Sequence, residues 1–390
     1  LKILFVSSTL EGGIGTIQKQ LACALGQLNV EVSLWTTSSH LLDVPGCDVK
    51  YFKTMGPAQL GYSRSMEIEL RRKYRDFDIL HVHGFWTAHV KLISLWKSLT
   101  ERPSFFSIHG ALHPHIFSRL RFKKTLARIL FHDKAFNAAS VLHAASKIEY
   151  LQVRDHEDRH PVMLVPNGIE LIKPSYDIEL ISTELQKLYS SNKVLLYLSR
   201  LHPTKGIELL IESINCLELS SPGAFNGWQL VIAGSGTEKY KQSLLRKIDS
   251  AGLSAQITLI GFVDGDTKSF ILSESQSFVL PSFSESFPLA VLEAMLYELP
   301  VLTTTGTPFD FLDDDGAGWY CRLNRDSISA ALLDMCEKSD VELIEMGANG
   351  LSVLQRDYDI DKVALKYLNS YMWSLGRCPK PDSIMSSAIM

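Results

Sequence analysis

Two cations and two carboxylates stand at spacings suited to gripping a diphosphate and a ring of hydroxyls. In Ser199-Arg200-Leu201-His202-Pro203-Thr204-Lys205-Gly206, Arg200 and Lys205 follow an apolar strand pattern. Arginine meets a phosphate through a planar fork and lysine as a point charge, so the pair can share one diphosphate. Read alone, they are also open to a less favoured reading as solvated loop charges. The run from Pro281 to Met295 ends a strand, turns through Ser282-Phe283-Ser284-Glu285-Ser286-Phe287, and enters a helix at Pro288-Leu289-Ala290. Proline is tolerated in the first helical turn, where its missing N–H costs little. The amides of Leu289 and Ala290 are then free to face an anion. Glu285 precedes this helix and Glu293 lies two turns inside it. Eight residues leave about 80° of angular offset, so the two carboxylates need not share one site. Glu285 can reach the mouth of a cleft, and Glu293 can accept hydrogen bonds from a ribose or remain a satisfied structural carboxylate.

Glycines mark further strand ends. Glu11-Gly12-Gly13-Ile14-Gly15 follows the first apolar run and opens a helix, so Gly13 and Gly15 can let a ligand approach the backbone. A helix start there suits an anion or a sugar hydroxyl cluster, although the turn can also serve packing alone. The spacing is not the dinucleotide fingerprint. Gly234-Ser235-Gly236 follows another strand and is weaker evidence of the same kind. Histidines cluster at His81, His83, His109, His113 and His115. At the strand end His81-Val82-His83, only one of the two imidazoles is expected to face a ligand. No HExxH and no dense Cys or Asp partner set accompanies them, so no metal site is expected. Asp264-Gly265-Asp266 and Asp313-Asp314-Asp315 read as polar loops.

These residues need a scaffold, and the pattern supplies one. The chain has 390 residues, 46% hydrophobic and 21% charged, with a formal net charge of -4. That length predicts two domains, and the charge argues against a nucleic-acid partner. Residues 1–180 are net basic, with 22 Lys and Arg against 17 Asp and Glu, and the remainder is net acidic. Strands are expected at 2–7, 30–36, 79–83, 104–108, 141–144 and 162–165, then at 194–198, 228–233, 257–260, 277–280 and 301–304. Helices are expected at 14–28, 63–74, 87–98 and 120–137, then at 207–217, 239–249, 266–274, 289–297, 327–338, 341–353 and 361–375. This alternation predicts an α/β chain of two Rossmann-like, doubly wound domains facing each other across a deep cleft. Their bounds are 1–180 and 181–360, with a terminal helix and tail at 361–390 crossing back toward the first. No apolar run reaches membrane-spanning length. The opening run stops at Ser7, so no secretory signal is expected. Six scattered cysteines and no CxxC suggest a reducing, cytoplasmic setting.

Taken together, the motifs resemble retaining glycosyltransferases of family 4, which have the GT-B fold. The resemblance runs from Gly12-Gly13 to at least Trp319. Its strongest part is Glu285 to Glu293, similar to the family's E-x7-E signature, followed by Glu298-Leu299-Pro300-Val301. Arg200 and Lys205-Gly206 match the donor diphosphate pair, and Pro166-Asn167-Gly168-Ile169 matches the turn closing the first domain. The resemblance implies a UDP- or GDP-linked sugar as donor, bound mostly by the second domain, with no further cofactor. Arg200 and Lys205 would clamp the diphosphate, Glu293 the ribose, and Glu285 the transferred sugar. Gly261-Phe262-Val263 would lie beside the nucleobase. Gly234, Phe287, Pro288, Leu289 and Ala290 complete the donor set, and His109 resembles the first-domain histidine that reaches the donor sugar. His109, Arg200, Lys205 and Glu285 are therefore the expected catalytic groups. Departures are Leu299 for the usual glycine and Gly306-Thr307 for a glycine pair.

The acceptor is expected to be a glycan or a lipid-linked hydroxyl in cell-surface polysaccharide assembly. The stretch 119–128, within Ser118–Leu130, is basic and amphipathic. It can touch an anionic membrane on the cytoplasmic side, or simply be an ordinary helix with one solvated face. Tyr62-Ser63-Arg64 through Lys73 adds positive charge to the same half. The alternative readings are a GT-B nucleotide-sugar epimerase and a non-catalytic nucleotide- or sugar-binding protein. The sequence does not fix the oligomeric state.

Overall fold

A computed structural model describes residues 1–38, 43–56, 60–112, 132–156 and 159–386. They form two compact units, Leu1–Glu170 with Tyr358–Met390, and Leu171–Asp357. Each unit is built on its own mainly parallel sheet with helices packed against it.

The first sheet has eight strands: β1 (Lys2–Ser7), β2 (Glu31–Thr36), β3 (Asp48–Tyr51), β4 (Ile79–His83), β5 (Ser104–Ser107), β6 (Val141–Ala144), β7 (Val162–Leu164) and β14 (Ile384–Met385). Their order is β14-β7-β6-β5-β4-β1-β2-β3, parallel throughout except that β14 runs antiparallel to β7. Alternate residues feed opposite faces. Leu4 and Val6 enter one core with Leu80, Val82 and Phe106, while Ile3 and Phe5 enter the other with Ile79 and Phe105. Ile360, Val363, Tyr367 and Tyr371 of the helix Ile360–Ser374 lie in that second core beside Leu21 and Leu25. Each such side chain contributes about 1.5–3 kcal/mol by leaving water. The helix Ile360–Ser374 is thus an integral layer of the first unit.

The second sheet contains β8 (Lys193–Leu198), β9 (Trp228–Ala233), β10 (Ile257–Gly261), β11 (Ser277–Leu280), β12 (Val301–Thr304) and β13 (Gly318–Cys321), in the order β10-β9-β8-β11-β12-β13. All its pairings are parallel. β9 and β11 are buried along their whole length, as expected where helices cover both faces. Chain order runs outward from β8 on one side and resumes at β11 on the other. The loops after β8 and β11 therefore meet at the switch point, where open α/β sheets bind ligands.

The unit boundary falls between Glu170 and Leu171 rather than after residue 180. The reason is local bonding. Asp177 N donates to Asp266 Oδ1 at 2.8 Å, Tyr176 Oη to Glu274 at 2.8 Å, and Tyr297 Oη to the Pro174 carbonyl at 3.2 Å. These bonds moor 171–180 to the second unit and give Asp266 a structural partner. The stretch 171–192 also holds an unexpected helix, Thr183–Ser191, capped by Ser182 and burying Leu185 and Tyr189. No helix among the described residues is long and apolar enough to cross a membrane. The basic stretch 119–128, His113 and His115 lie outside the described residues.

Candidate active site

The loop after β8 carries Arg200 and Lys205. Pro203–Lys205 forms a single 3₁₀ turn, with the His202 side chain accepting from Thr204 N at 3.3 Å. Gly206 follows at φ +74°, and a Cβ there would fall 1.9 Å from the Pro281 carbonyl oxygen. Only glycine lets the loop after β8 press against the loop after β11. A backbone bond locks the same junction, Phe283 N donating to Thr204 O at 2.9 Å, and Glu285 N donates to Gly306 O of the loop after β12 at 2.8 Å. Gly306, noted in sequence as a departure, meets Ser282 equally closely, since a Cβ on it would fall 2.1 Å from the Ser282 oxygen.

This scaffold brings Lys205 onto Glu285. Their side chains are 14% and 11% exposed and form an ion pair through Glu285 Oε1. Ser282 Oγ donates to the same oxygen at 2.7 Å. Glu293 is paired in the same fashion: Lys268 Nζ, from the helix Gly265–Glu274, lies 2.7 Å from Glu293 Oε1. In both carboxylates the other oxygen, Oε2, has no partner among the described residues. Arg200 is exposed and likewise unpaired among them. The helix Leu289–Leu296 starts at Pro288 with no side-chain cap, and the half-buried Leu289 and Ala290 head it. Those first amides have no intrahelical acceptor. Pro288 itself is the residue before the helix rather than within its first turn.

The remaining expected donor residues divide by burial. Phe262 is 70% exposed beyond β10. Gly261 has open space where a Cβ would sit, but its carbonyl accepts from Gly234 N at 2.6 Å. Gly234 is closely packed, its Cβ position only 1.8 Å from the Ser199 oxygen. Phe287 is a core residue, its ring 5.3 Å from that of Phe309. In the first unit, Gly13 faces open space at the start of the helix Gly12–Gln27, while Gly15 is pressed on Leu10. Gly15, Gly234 and Phe287 thus have packing reasons for their identity.

The first unit gathers a different chemistry at the carboxyl ends of β4, β5 and β6. His81 and His83 are both buried on one side of the sheet, with rings stacked 4.2 Å apart. The expectation that only one would face inward is corrected here, because residues two apart on a strand share a face. His81 bonds Tyr371 Oη at 2.6 Å and Ser107 Oγ at 2.7 Å, and Ser107 bonds His143 at 2.6 Å. His83 Nδ1 lies 3.2 Å from His109 Nε2. His109 has a left-handed backbone at φ +52°. Burial, with a smaller contribution from His143, pushes its imidazole down to about 3. Burial also holds His143 and His89 down to about 4. The imidazoles are therefore neutral near pH 7. Beside them Glu149, 1% exposed, accepts from Gly110 N and, at 2.7 Å, from Ala145 N. Burial raises its carboxyl. Among the described residues no three His, Cys, Asp or Glu side chains are arranged to hold a metal ion.

Sequence reasoning missed Lys268, Ser282, Glu149 and Tyr371. Ser282 lies three residues before Glu285, a spacing that could have flagged it. The others act across long sequence separations that leave no local signal.

Comparison with known proteins gives this arrangement its relatives. Residues 182–350 match the family described as Glycosyl transferases group 1, and residues 11–173 match Glycosyltransferase Family 4. A GDP-mannose:cellobiosyl-diphosphopolyprenol alpha-mannosyltransferase of Xanthomonas campestris is 25% identical over 77% of this chain and 71% of its own. A poly(ribitol-phosphate) alpha-N-acetylglucosaminyltransferase of Staphylococcus aureus is 23% identical over 68% of this chain and 50% of its own. Among solved structures, Anabaena HepE in complex with UDP and glucose superposes with a TM-score of 0.75. It is 17% identical, over 95% of this chain and 99% of that one. Sucrose-phosphate synthase from Thermosynechococcus elongatus gives 0.76 at 17% identity, over 97% and 100%. At that identity the structural likeness speaks for the fold, which is GT-B.

Proposed function

The chain belongs to glycosyltransferase family 4, and from that premise we propose that it is a retaining hexosyltransferase working in cell-surface polysaccharide assembly. It is a glycosyltransferase that uses a nucleotide sugar, which sets aside the epimerase and the non-catalytic binder. In our reading the donor is UDP- or GDP-linked, and the acceptor is a hydroxyl of a glycan or lipid-linked glycan. The relatives named above, with their diphosphopolyprenol and poly(ribitol-phosphate) acceptors, support that class.

One observation carries the reading. At the switch point Glu285 and Glu293 each keep one oxygen tied to a lysine and one open, while Arg200 stands unpaired on the same loop as Lys205. Arg200, Lys205 and the amides of Leu289 and Ala290 hold the diphosphate, Glu293 Oε2 the ribose, and Glu285 Oε2 the sugar hydroxyls. His109, neutral by burial, offers a hydrogen bond to the sugar without a charge. Phe262 and Gly261 flank the base. The bond from the anomeric carbon to the phosphate oxygen breaks as the bond to the acceptor oxygen forms on the same face. The acceptor proton passes to the departing phosphate oxygen. Fixed cations at that oxygen are each worth about 2.7–4 kcal/mol, the scale of one preorganised donor at developing charge.

The same reading includes cytoplasmic action, supported by six unpaired cysteines. Peripheral contact with an anionic membrane face is also included. The helix Arg64–Lys73 exposes Arg64, Ile68, Arg71 and Arg72, which adds to the basic stretch at 119–128.

The test is a donor panel of UDP-glucose, UDP-galactose, UDP-N-acetylglucosamine and GDP-mannose, with and without a polyprenyl-diphosphate-linked glycan. Nucleoside diphosphate release and the anomeric coupling of the product are read. Acceptor-stimulated release from one donor, with configuration kept, is expected. Release from none, or an inverted product, would overturn the proposal.

A further inference from the structure

We propose that Glu149 is the positioning residue that sets the His109 loop, and so governs turnover through a side chain that touches no substrate. The inference rests on the reading above that His109 contacts the donor sugar. It starts from an oddity of backbone. His109 and Gly110 are consecutive left-handed residues, at φ +52° and +74°. A non-glycine residue there is strained and persists only when its surroundings over-determine it. Glu149 supplies that constraint. Its Oε1 accepts the Gly110 amide, the peptide immediately after His109, and its Oε2 accepts the Ala145 amide.

One carboxylate therefore ties the loop leaving β5 to the loop leaving β6. Glu149 is itself fixed by its own amide, which donates to Ser146 Oγ at 3.2 Å, and by its place in the first turn of the helix Lys147–His156. The side chain is 1% exposed and has no Lys or Arg partner among the described residues. A buried carboxylate satisfied only by backbone amides is a costly way to cap a helix, and capping needs only the nearby Ala145 amide. The second oxygen reaches 39 residues back in sequence to Gly110. That contact serves the loop rather than the helix. His83 completes the arrangement on the ring side, 3.2 Å from His109 Nε2. Backbone and imidazole are thus held by two separate groups.

The test is a double-mutant cycle on Glu149→Gln and His109→Ala, using the donor selected by the panel above. Glutamine keeps one acceptor but turns an NH₂ toward the other amide. Glu149→Gln is expected to lower kcat about 10- to 100-fold, the scale of a misplaced contact group. Affinity for the nucleoside diphosphate, which the second unit holds, should stay within about twofold. In the His109→Ala background, Glu149→Gln should cost less than about twofold further, because its effect runs through the missing imidazole. Multiplying effects, with His109→Ala itself impaired, would overturn the assignment of Glu149 alone. Wild-type turnover by His109→Ala would overturn the role of His109 and the proposal with it. Should Glu149→Gln not fold, Glu149→Asp replaces it in the cycle. Its shorter side chain reaches only one of the two amides, so the same coupling to His109 is expected and simple multiplication refutes it.

Discussion

At the strand ends of the second unit the gathered groups are charged and half open: Lys205 on Glu285, Lys268 on Glu293, and Arg200 in solvent. At the equivalent ends of the first unit they are neutral: His81, His83 and His143 are each 1% exposed or less, and the half-buried His109 is pushed far down by desolvation. Of the twelve histidines, only His202 lies in residues 171–357. The contrast separates two ways of meeting a polar ligand. Ion pairs with one spare carboxylate oxygen can exchange partners with a charged ligand at little cost. Buried neutral imidazoles can only offer hydrogen bonds, fixed in advance by their neighbours.

The largest break in this comparison should come from Lys205→Ala. Removing one member of a buried pair leaves Glu285 uncompensated, and such losses run to about 3–5 kcal/mol. Turnover should fall about 10²- to 10³-fold. Thermal unfolding with hydrogen exchange should locate the loss in peptides of the second unit. Adding Glu285→Gln should restore most of the stability and none of the turnover. Recovery of turnover in the double variant would show that the pair serves only the fold.

Acid should break the other side. The buried imidazoles have folded-state values near 3 for His109 and near 4 for His143 and His89, below the unfolded value of about 6.5. Above about pH 6.5 neither state binds these protons, and their contribution is fully present. As pH falls below that, the unfolded chain takes up protons the folded chain refuses, so stability drops until the folded values are reached. Each imidazole contributes a slope of up to about 1.4 kcal/mol per pH unit. Between pH 6.5 and 5, exchange protection should fall first in residues 1–170, with the second unit holding. Equal loss in both units would contradict the picture of a neutral histidine core.

The smallest effect belongs to Lys268→Ala. Its pair with Glu293 is 33% and 22% exposed, in the range where ion pairs contribute about 0–1 kcal/mol. Donor affinity should change by only a few-fold, in calorimetry, with little change in melting temperature. A loss as large as that of Lys205→Ala would place Lys268 on the ligand.

Much of the frame was legible because parallel strands buried on both faces announce themselves. Trp228–Ala233, Ser277–Leu280 and Val301–Thr304 are expected and found with the same bounds. What escaped was short or sparsely apolar. β3 and β13 are four-residue edge strands, and the helix Lys147–His156 buries only Glu149 and Val153. A stripe of two buried residues gives no helical period to read. The ionic groups were legible as types and loop positions, but not as pairs. Lys268 and Glu293 sit on different helices, and Glu149 meets Gly110 across two strands. At the C-terminus only β14 escaped, because it is two residues long and pairs antiparallel with β7, a partner far back in the chain.

The central claim is that the loops after β8 and β11 grip a diphosphate, and Arg200 tests it most cleanly because nothing else in the described residues depends on it. Titration calorimetry of UDP and GDP against wild type and Arg200→Ala is the measurement. An unchanged melting temperature with binding weakened about 10- to 100-fold is predicted, the scale of one charged hydrogen bond or fork. Equal affinity in the two proteins would contradict the account.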